Sequence, residues 1–298
     1  MPTAPNAIVI ADSVSPTGQR LTTVTVTLHR FVLAELNTHR VLSRNSASSR
    51  AIPVRRQLDR VADDPAWPLQ WPREQRGMQG GDELDGQDYA EARELFDDVH
   101  RYATERVRRY LDEHEEPPSR LHKSLVNRLL EPFMWHTVIL TGTDWEGFFD
   151  QRVSELAQPE IAAPAKAILE AVAASEPTLV DYGDWHLPYT ADLDVDLRSA
   201  LKISAARCAR VSYLTHDGVR DPEKDLELYN KLTSADPMHA SPFEHQATPA
   251  PQGLPAPGNL RGWFQQRHWV EQGDDPVEQA RQIADQAASP GVDESEVA

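Results

Sequence analysis

Cysteine is almost absent. Cys208 is the only one in 298 residues, which excludes an intrachain disulfide, a cysteine-rich zinc site and a Cys-X-X-Cys redox pair. Long apolar runs are missing too: no stretch approaches the roughly 18 consecutive apolar residues of a membrane span. The start, Met1-Pro2-Thr3-Ala4-Pro5, lacks a basic segment followed by an apolar one. Positive charge is scarce. Against 47 Asp and Glu stand 30 Lys and Arg, a formal net charge of −17, so the overall field repels nucleic-acid backbones and anionic membranes. These deficits point to a cytosolic protein in a reducing compartment that binds neither nucleic acid nor membrane. The sequence contains 11 histidines, but none forms a His-X3-His pair with a nearby carboxylate at helical spacing, so no metal site is expected.

What is present is enough for a sizeable core, with 40% hydrophobic residues. Leu21 to Leu28 alternates Val24, Val26 and Leu28 with Thr23, Thr25 and Thr27, which predicts a half-buried strand. It runs into a helix over 31–36 that delivers the polar cluster beginning at Thr38. Pro53 to about Gln87 reads as a long loop anchored by Trp67 and Trp71. Tyr89 to Leu111 predicts a helix whose stripe of Ala92, Leu95, Phe96, Val99, Tyr102, Ala103, Val107 and Tyr110 belongs to the core. Leu121 to Leu140 and Trp145 to Val172 predict two more helices, with Thr143 or Asp144 as a cap and disturbances at Pro159 and Pro164. A strand is expected around Ala209-Arg210-Val211-Ser212-Tyr213, a helix opened by Asp221-Pro222-Glu223, and a loop over 248–258.

The densest unusual segment is Asn37 to Arg50, with three arginines, one histidine and several hydroxyls in fourteen residues. Guanidinium forks bind phosphate oxygens bidentately, and small hydroxyl residues let backbone N–H groups approach, so the segment suits a nucleotide or cofactor phosphate. A solvated, salt-bridged turn explains the same residues equally well.

Thr38-His39-Arg40, seven residues, then Ser48 resembles the Arg-His-Arg-X7-Ser signature of flavin-dependent thymidylate synthases, with Ser43, Asn45 and Arg50 of its longer form. Thr38, Ser46 and Ala51 stand where that form has Arg, Glu and Tyr. Arg152-Val153-Ser154-Glu155-Leu156-Ala157-Gln158-Pro159-Glu160-Ile161 resembles the family's Arg-X4-Ala-Gln-X-Glu-Ile helix, although Gln151 replaces a Leu. Arg128-Leu129-Leu130-Glu131-Pro132 is similar to its Arg-X-Val-Leu-Pro segment, and Thr141-Gly142-Thr143 stands where it has Asn-Leu-Arg. His239-Ala240-Ser241-Pro242-Phe243-Glu244-His245 resembles His-X-Thr-Pro-Phe-Glu-His, and Ala209 to Tyr213 resembles the family's first strand. The last two precede the Arg-His-Arg segment in the family and follow it here. The chain therefore resembles a divergent, phage-like, circularly permuted member, a rearrangement that closely spaced surface termini make physically mild.

The resemblance implies an α/β (α+β) fold like that of the thymidylate-synthase-complementing protein, a mainly antiparallel sheet with packed helices. It implies one domain over 1–272, in permuted halves of about 1–175 and 200–272, before an acidic flexible tail over 273–298. It also implies a homotetramer, in the host cytoplasm if the gene is a phage's. The implied reaction is the reductive methylation of dUMP to dTMP with FAD, methylenetetrahydrofolate and NADPH. Carried over by resemblance, Glu35, Ser46, Ala47, Ser48, Ser49, Arg50, Arg128 and Arg152 bind the nucleotide. Thr38, His39, Arg40, Ser241 and Glu244 face the flavin, and His239 and Arg152 serve catalysis. A flavin supplies hydride without a thiol nucleophile, which leaves Cys208 as a core residue. Glu35 replaces a usual Gln, and with Ser46 it alters the polarity of the nucleotide pocket, so dCMP or another pyrimidine deoxynucleotide is an alternative acceptor. A nucleotide-binding relative without flavin affinity is another alternative.

Overall fold

The computed structural model describes residues 5–46, 48, 50–114, 120–211 and 220–288. It opens with antiparallel strands β1 (Asn6–Val14) and β2 (Arg20–His29). Between them Gly18 takes a φ of 82°, a left-handed conformation that suits glycine. The alternation of β2 is borne out, since Val24, Val26 and Leu28 are buried on one face. Residues Arg30 to Val32 make a 3-10 turn into α1 (Leu33–Leu36), and β3 (Ser43–Ser46) follows.

A helix, α2 (Val54–Asp63), replaces the first part of the expected loop. Val54, Leu58 and Val61 fall on one buried face, and Pro53 sits just ahead of the first turn. The loop itself spans 64–85. Next, α3 (Gly86–Glu113) is the expected long helix, but its apolar stripe is not core: Leu95, Val99 and Tyr102 are 62%, 50% and 68% exposed. The C-terminal half of α3 packs against α2 and the segment through Phe133, at Val107 and Leu111 and through His100, which bonds the Val61 carbonyl at 2.8 Å. Periodicity marks an apolar face without revealing what covers it.

The helix expected over 121–140 is another correction. A short α4 (Lys123–Val126) and a 3-10 turn to Phe133 lead into strand β4 (Trp135–Gly142). That strand is covered on both faces over its second half, where the apolar run Val138-Ile139-Leu140 lacks the alternation that would tell it from a buried helix. Two helices, α5 (Glu146–Arg152) and α6 (Pro159–Ala173), divide the next predicted helix at Pro159. Neither Thr143 nor Asp144 caps α5, because Trp145 occupies that position.

The remainder comprises β5 (Thr178–Leu179), α7 (Leu197–Ala209), α8 (Pro222–Thr233), β6 (Ala247–Pro249), β7 (Trp263–Gln265), α9 (Gln266–Val270) and α10 (Pro276–Ala288). Ala209 ends α7 instead of starting a strand. That helix is buried on most sides, from Ala200 to Cys208, and so lacks an amphipathic period; Ser212 and Tyr213 lie outside the described residues. Asp221 caps α8 as expected, accepting from the N–H groups of Glu223 and Lys224 at 3.1 and 3.3 Å. Within the expected loop over 248–258, Thr248 and Pro249 pair in β6. Residues 273–288, placed by composition in a flexible tail, include α10, whose Val277, Ala280 and Ile283 are buried against Trp185, Phe264 and Trp269; residues 289–298 lie outside the described residues.

The five-stranded sheet has the order β3-β4-β2-β1-β5, antiparallel except for β1 with β5. This is the expected α/β class with a mainly antiparallel sheet. Phe148 of α5 and Ile161, Ala165 and Ile168 of α6 cover one face. The other face carries Ile139, packed with Tyr189, Cys208 and Val211. Among the described residues, no helix is long and apolar enough to cross a membrane.

A continuous polar chain crosses that second face. His186 bonds Ser13 Oγ through Nδ1 at 2.8 Å and Thr23 Oγ1 through Nε2 at 2.7 Å. Thr23 bonds Thr141 Oγ1 at 2.7 Å, and Thr141 bonds His245 Nδ1 at 2.8 Å. Burial holds His186 and His245 neutral, with pKa values pushed down to about 3. Burial and the nearby Arg30 do the same to His136. A second buried polar group is Arg207, which donates from Nε to Asp225 at 2.9 Å and from Nη1 to the Tyr189 carbonyl at 2.6 Å and Asp192 at 2.8 Å.

Two predictions follow from these buried groups. The unfolded chain protonates its imidazoles near pH 6.5, whereas the folded chain keeps these three neutral to about pH 3. Their contribution is therefore complete above pH 6.5 and lost as the pH falls towards 3, with an uptake on unfolding that approaches three protons. Urea denaturation at about pH 7.5, 6 and 5 should show stability falling steadily, and an unchanged midpoint would contradict the burial of these rings. Replacing Arg207 with Met leaves buried Asp225 with Arg210, 3.3 Å away, as its remaining cation, an expected loss towards the lower end of about 3–5 kcal/mol. Adding Asp225→Leu should recover most of it.

Candidate functional site

Three segments distant in sequence meet beside β3. Arg152, the last residue of α5, donates from Nε to His39 Nε2 at 2.8 Å, across 113 residues of sequence. Its Nη2 reaches the Glu35 carbonyl at 3.5 Å and Thr38 Oγ1 at 3.3 Å, and Thr38 Oγ1 donates to that same carbonyl at 2.7 Å. Thr38, where the related signature has Arg, thus buttresses Arg152. An imidazole nitrogen that accepts from a guanidinium cannot carry a proton, so His39 is neutral with its hydrogen on Nδ1. Its pKa is lowered accordingly, by burial first and then by Arg152 and Arg44. His39 also packs edge-on against Phe148 at 4.9 Å. These contacts make it a positioning group for Arg152.

On the other side of the turn, Arg44 donates to the carbonyls of His39 and Leu42 at 2.9 and 3.1 Å. Asn45 accepts from Ser241 Oγ at 3.2 Å and donates to the Cys208 carbonyl at 3.3 Å, fixing the 3-10 turn Ser241–Glu244 and the end of α7 to β3. Ser43 accepts from Gln265 Nε2 at 3.1 Å, and Glu244 is ion-paired with Arg267. Sequence reasoning counted Arg44 only among the three arginines of its segment and gave Gln265 and Arg267 no role. Arg44 was readable as the third cation of its segment, whereas Gln265 and Arg267 carried no local signal.

Other expected residues stand apart. Arg40, Ser46, Ser48 and Arg50 follow one another along the turn and strand, and Arg40, Ser48 and Arg50 are exposed. Ala47 and Ser49 lie outside the described residues. Arg128 is exposed and pairs with Glu131 at 3.7 Å. His239 is exposed, and its backbone bonds the Leu232 carbonyl. Cys208 is fully buried, and burial pushes its thiol pKa up, which suits a core residue and not a nucleophile. His245 belongs to the buried polar chain. Among the described residues, Arg40, Arg44, Arg50 and Arg152 form no ion pair, so an acidic protein keeps four cations uncompensated within one short stretch and its neighbour. No group of three or more His, Cys, Asp or Glu among them stands close enough to hold a metal ion.

A cleft of about 1010 Å³ opens next to Arg152. Glu35, Arg152, Gln158 and Glu160 border one side, and Trp71, Met78 and Phe96 the other. The second wall is the 64–85 loop, folded on itself by hydrogen bonds between Arg73 and Asp82 and between Leu84 and Trp71, each 2.8 Å. Gly80 is required there, because a Cβ would lie 2.4 Å from that of Pro72. Trp71 packs edge-on against Phe96 at 5.0 Å and Tyr89 at 5.9 Å, so the aromatic anchors expected in this loop tie it to α3. Glu160, buried in α6, accepts from the Leu69 N–H at 2.9 Å, and Gln79 spans the cleft to the Leu156 carbonyl at 3.1 Å.

No protein-family model matches the chain, and no curated protein sequence matches it. Among solved structures it is similar to a UMP/dUMP methylase, PolB, from Streptomyces cacaoi. With that protein bound to 5-Br UMP the TM-score is 0.46 at 15% identity, covering 58% of this chain and 92% of that one. With 5-Br dUMP bound, the TM-score is 0.45 at 15% identity, covering 57% and 90%.

Proposed function

We propose that this protein is a flavin-dependent thymidylate synthase of permuted chain order, which converts dUMP to dTMP with methylenetetrahydrofolate, FAD and NADPH. The observation that carries the reading is the junction of Arg152 with His39 at 2.8 Å, together with that of Ser241 with Asn45 at 3.2 Å. Three segments quoted for the family resemblance, which lie in the wrong order along the chain, are neighbours in space. Permutation preserves such neighbourhoods while changing sequence order.

Uncompensated Arg40, Arg44, Arg50 and Arg152 suit the diphosphate of a dinucleotide and the phosphate of a nucleotide. In this reading His39, Arg40, Ser241 and Glu244 hold FAD, and Ser48, Arg50, Arg128 and Arg152 hold the nucleotide. When bound, the reduced flavin supplies the hydride that completes the methyl group. The chain itself orients the substrate: Arg152 is fixed by three acceptors, so its free edge is aimed without further loss of rotamer freedom. His239, exposed in one chain, joins the site through a neighbouring subunit of the proposed homotetramer, whose contact includes the apolar stripe of α3.

A second reading, nucleotide binding without flavin, is favoured by one observation. Thr141, at the start of the segment that replaces Asn-Leu-Arg, spends its hydroxyl on Thr23 and His245 and has none left for a cofactor.

The purified protein incubated with FAD and dialysed should retain the flavin's visible absorbance. Reduced, it should reoxidise in a dUMP-dependent manner with methylenetetrahydrofolate, forming dTMP. Protein that stays colourless yet binds dUMP favours the second reading. Arg152→Lys, which keeps charge but loses the fork, should lower kcat/KM by about 100-fold; wild-type activity would remove Arg152 from the site. Sedimentation should report a tetramer, and Val99→Glu on α3 should reduce it to smaller species.

A further inference from the structure

Glu35 has a carboxyl oxygen that no described residue answers. One oxygen, Oε2, is enclosed without a hydrogen-bond partner, and the residue lines the cleft beside Arg152. Among the described residues no Lys, Arg or His forms an ion pair with it. Arg152 passes close by but bonds the Glu35 backbone carbonyl and leaves the side chain alone. Enclosed polar atoms are normally satisfied, and an unpaired carboxyl oxygen among apolar groups is costly. Phe31, Trp71, Phe96 and Pro132 line the same cleft as Glu35. The cost is accepted where a ligand supplies the missing partner.

A carboxylate only accepts hydrogen bonds, so the partner has to be a donor. The flat apolar walls accept a planar ring, and the adjacent guanidinium accepts an anionic group attached to it. We infer that Glu35 receives the donor edge of an amino-substituted pyrimidine ring, the N–H groups of the ring and its exocyclic amine meeting the two carboxyl oxygens. Rotation about χ3, a soft torsion in Glu, turns both oxygens to the ligand. The pterin ring of a folate presents this edge, a ring N–H beside an exocyclic amine. Cytosine in dCMP sets its amine beside a ring nitrogen that only accepts, and uracil in dUMP sets its ring N–H between two carbonyls, so neither base meets both carboxyl oxygens with donors. The inference rests on the proposed function for its choice of a folate, and it assigns the residue that receives the pterin.

Titration calorimetry of the full-length protein with dCMP, dUMP and tetrahydrofolate tests it, in the wild type and in Glu35→Gln, with thermal unfolding to check that the variant is folded. A wild type that binds dCMP at least about tenfold more tightly than dUMP, with the preference lost in Glu35→Gln and tetrahydrofolate affinity unchanged, would overturn the inference. If the pterin is the occupant, tetrahydrofolate affinity falls by about tenfold or more in Glu35→Gln, while the two nucleotides bind alike in both proteins. A folded Glu35→Gln that changes none of the three affinities by more than about twofold overturns the inference. Flavin-dependent dTMP formation alongside that result would leave the proposed function standing. A Glu35-dependent affinity in a protein that neither binds flavin nor turns over would retain the inference and remove the proposed function.

Discussion

The chain Ser13–His186–Thr23–Thr141–His245 is the contact on which the assembly of the two halves depends. Thr23 and Thr141 face each other in the register of β2 and β4, so the sheet itself sets the spacing of the two hydroxyls. Each hydroxyl then takes one imidazole from the C-terminal half. Because all five groups are buried, each bond lost leaves an unsatisfied polar atom in a low-dielectric site. The backbone bonds between His186 and Ala247, 2.8 and 3.3 Å, place β6 over the same face. With β6 in place, the preceding turn Ser241–Glu244 can only lie against β3, where Asn45 meets it. The position of the candidate site is thus a consequence of two neutral histidines on the far side of the sheet.

A neutral His39 matters for a related reason. Protonation of its Nε2 would remove the acceptor for Arg152 and put two cations in contact. Arg44 adds a third positive group nearby, and it is held on carbonyls with no carboxylate beside it. The turn therefore concentrates cationic charge around an uncharged ring. In the C-terminal half, by contrast, Glu244 and Glu271 both neutralise Arg267. The two sides of β3 consequently differ in electrostatic character although the resemblance assigns both to one flavin.

How far this arrangement was legible in the sequence depends on which side chains face water. The strand β2 was readable because Val24, Val26 and Leu28 alternate with threonines, even though some of those threonines are buried too. The strand β4 was not, since Val138, Ile139 and Leu140 are all fully buried and the period of two vanishes. The run Ala209-Arg210-Val211 failed in the opposite direction: it ends a helix enclosed by Tyr189, the sheet and α8, so β-branched residues there reflect packing and not extension. Small residues misled at the C-terminus, where Ala280 and neighbouring alanines let α10 approach Gly183 within 3.1 Å of a would-be Cβ. In the site, the short-range pattern of Thr38, His39 and Arg40 was readable. The partners of Asn45 and the unanswered carboxyl of Glu35 were not, because they depend on contacts between segments far apart in the chain.

A net charge of −17 opposes a phosphorylated ligand at a distance, but not in the same measure at contact. At physiological ionic strength the Debye length is about 8 Å, so most of the acidic surface is screened from a ligand in contact with the turn. What such a ligand meets is Arg152, whose guanidinium is fixed and unpaired, with Arg44 close enough to influence His39. The distant acidic residues act mainly on the approach of polyanions, which span many Debye lengths and feel the repulsion along their whole length. The cleft itself carries Glu35, Glu155 and Glu160 beside Arg152, so a compact anion is favoured only where it lies against the guanidinium and keeps its uncharged part towards the carboxylates. Charge distribution therefore weighs by size as well as by sign, opposing long polyanions more than compact ones.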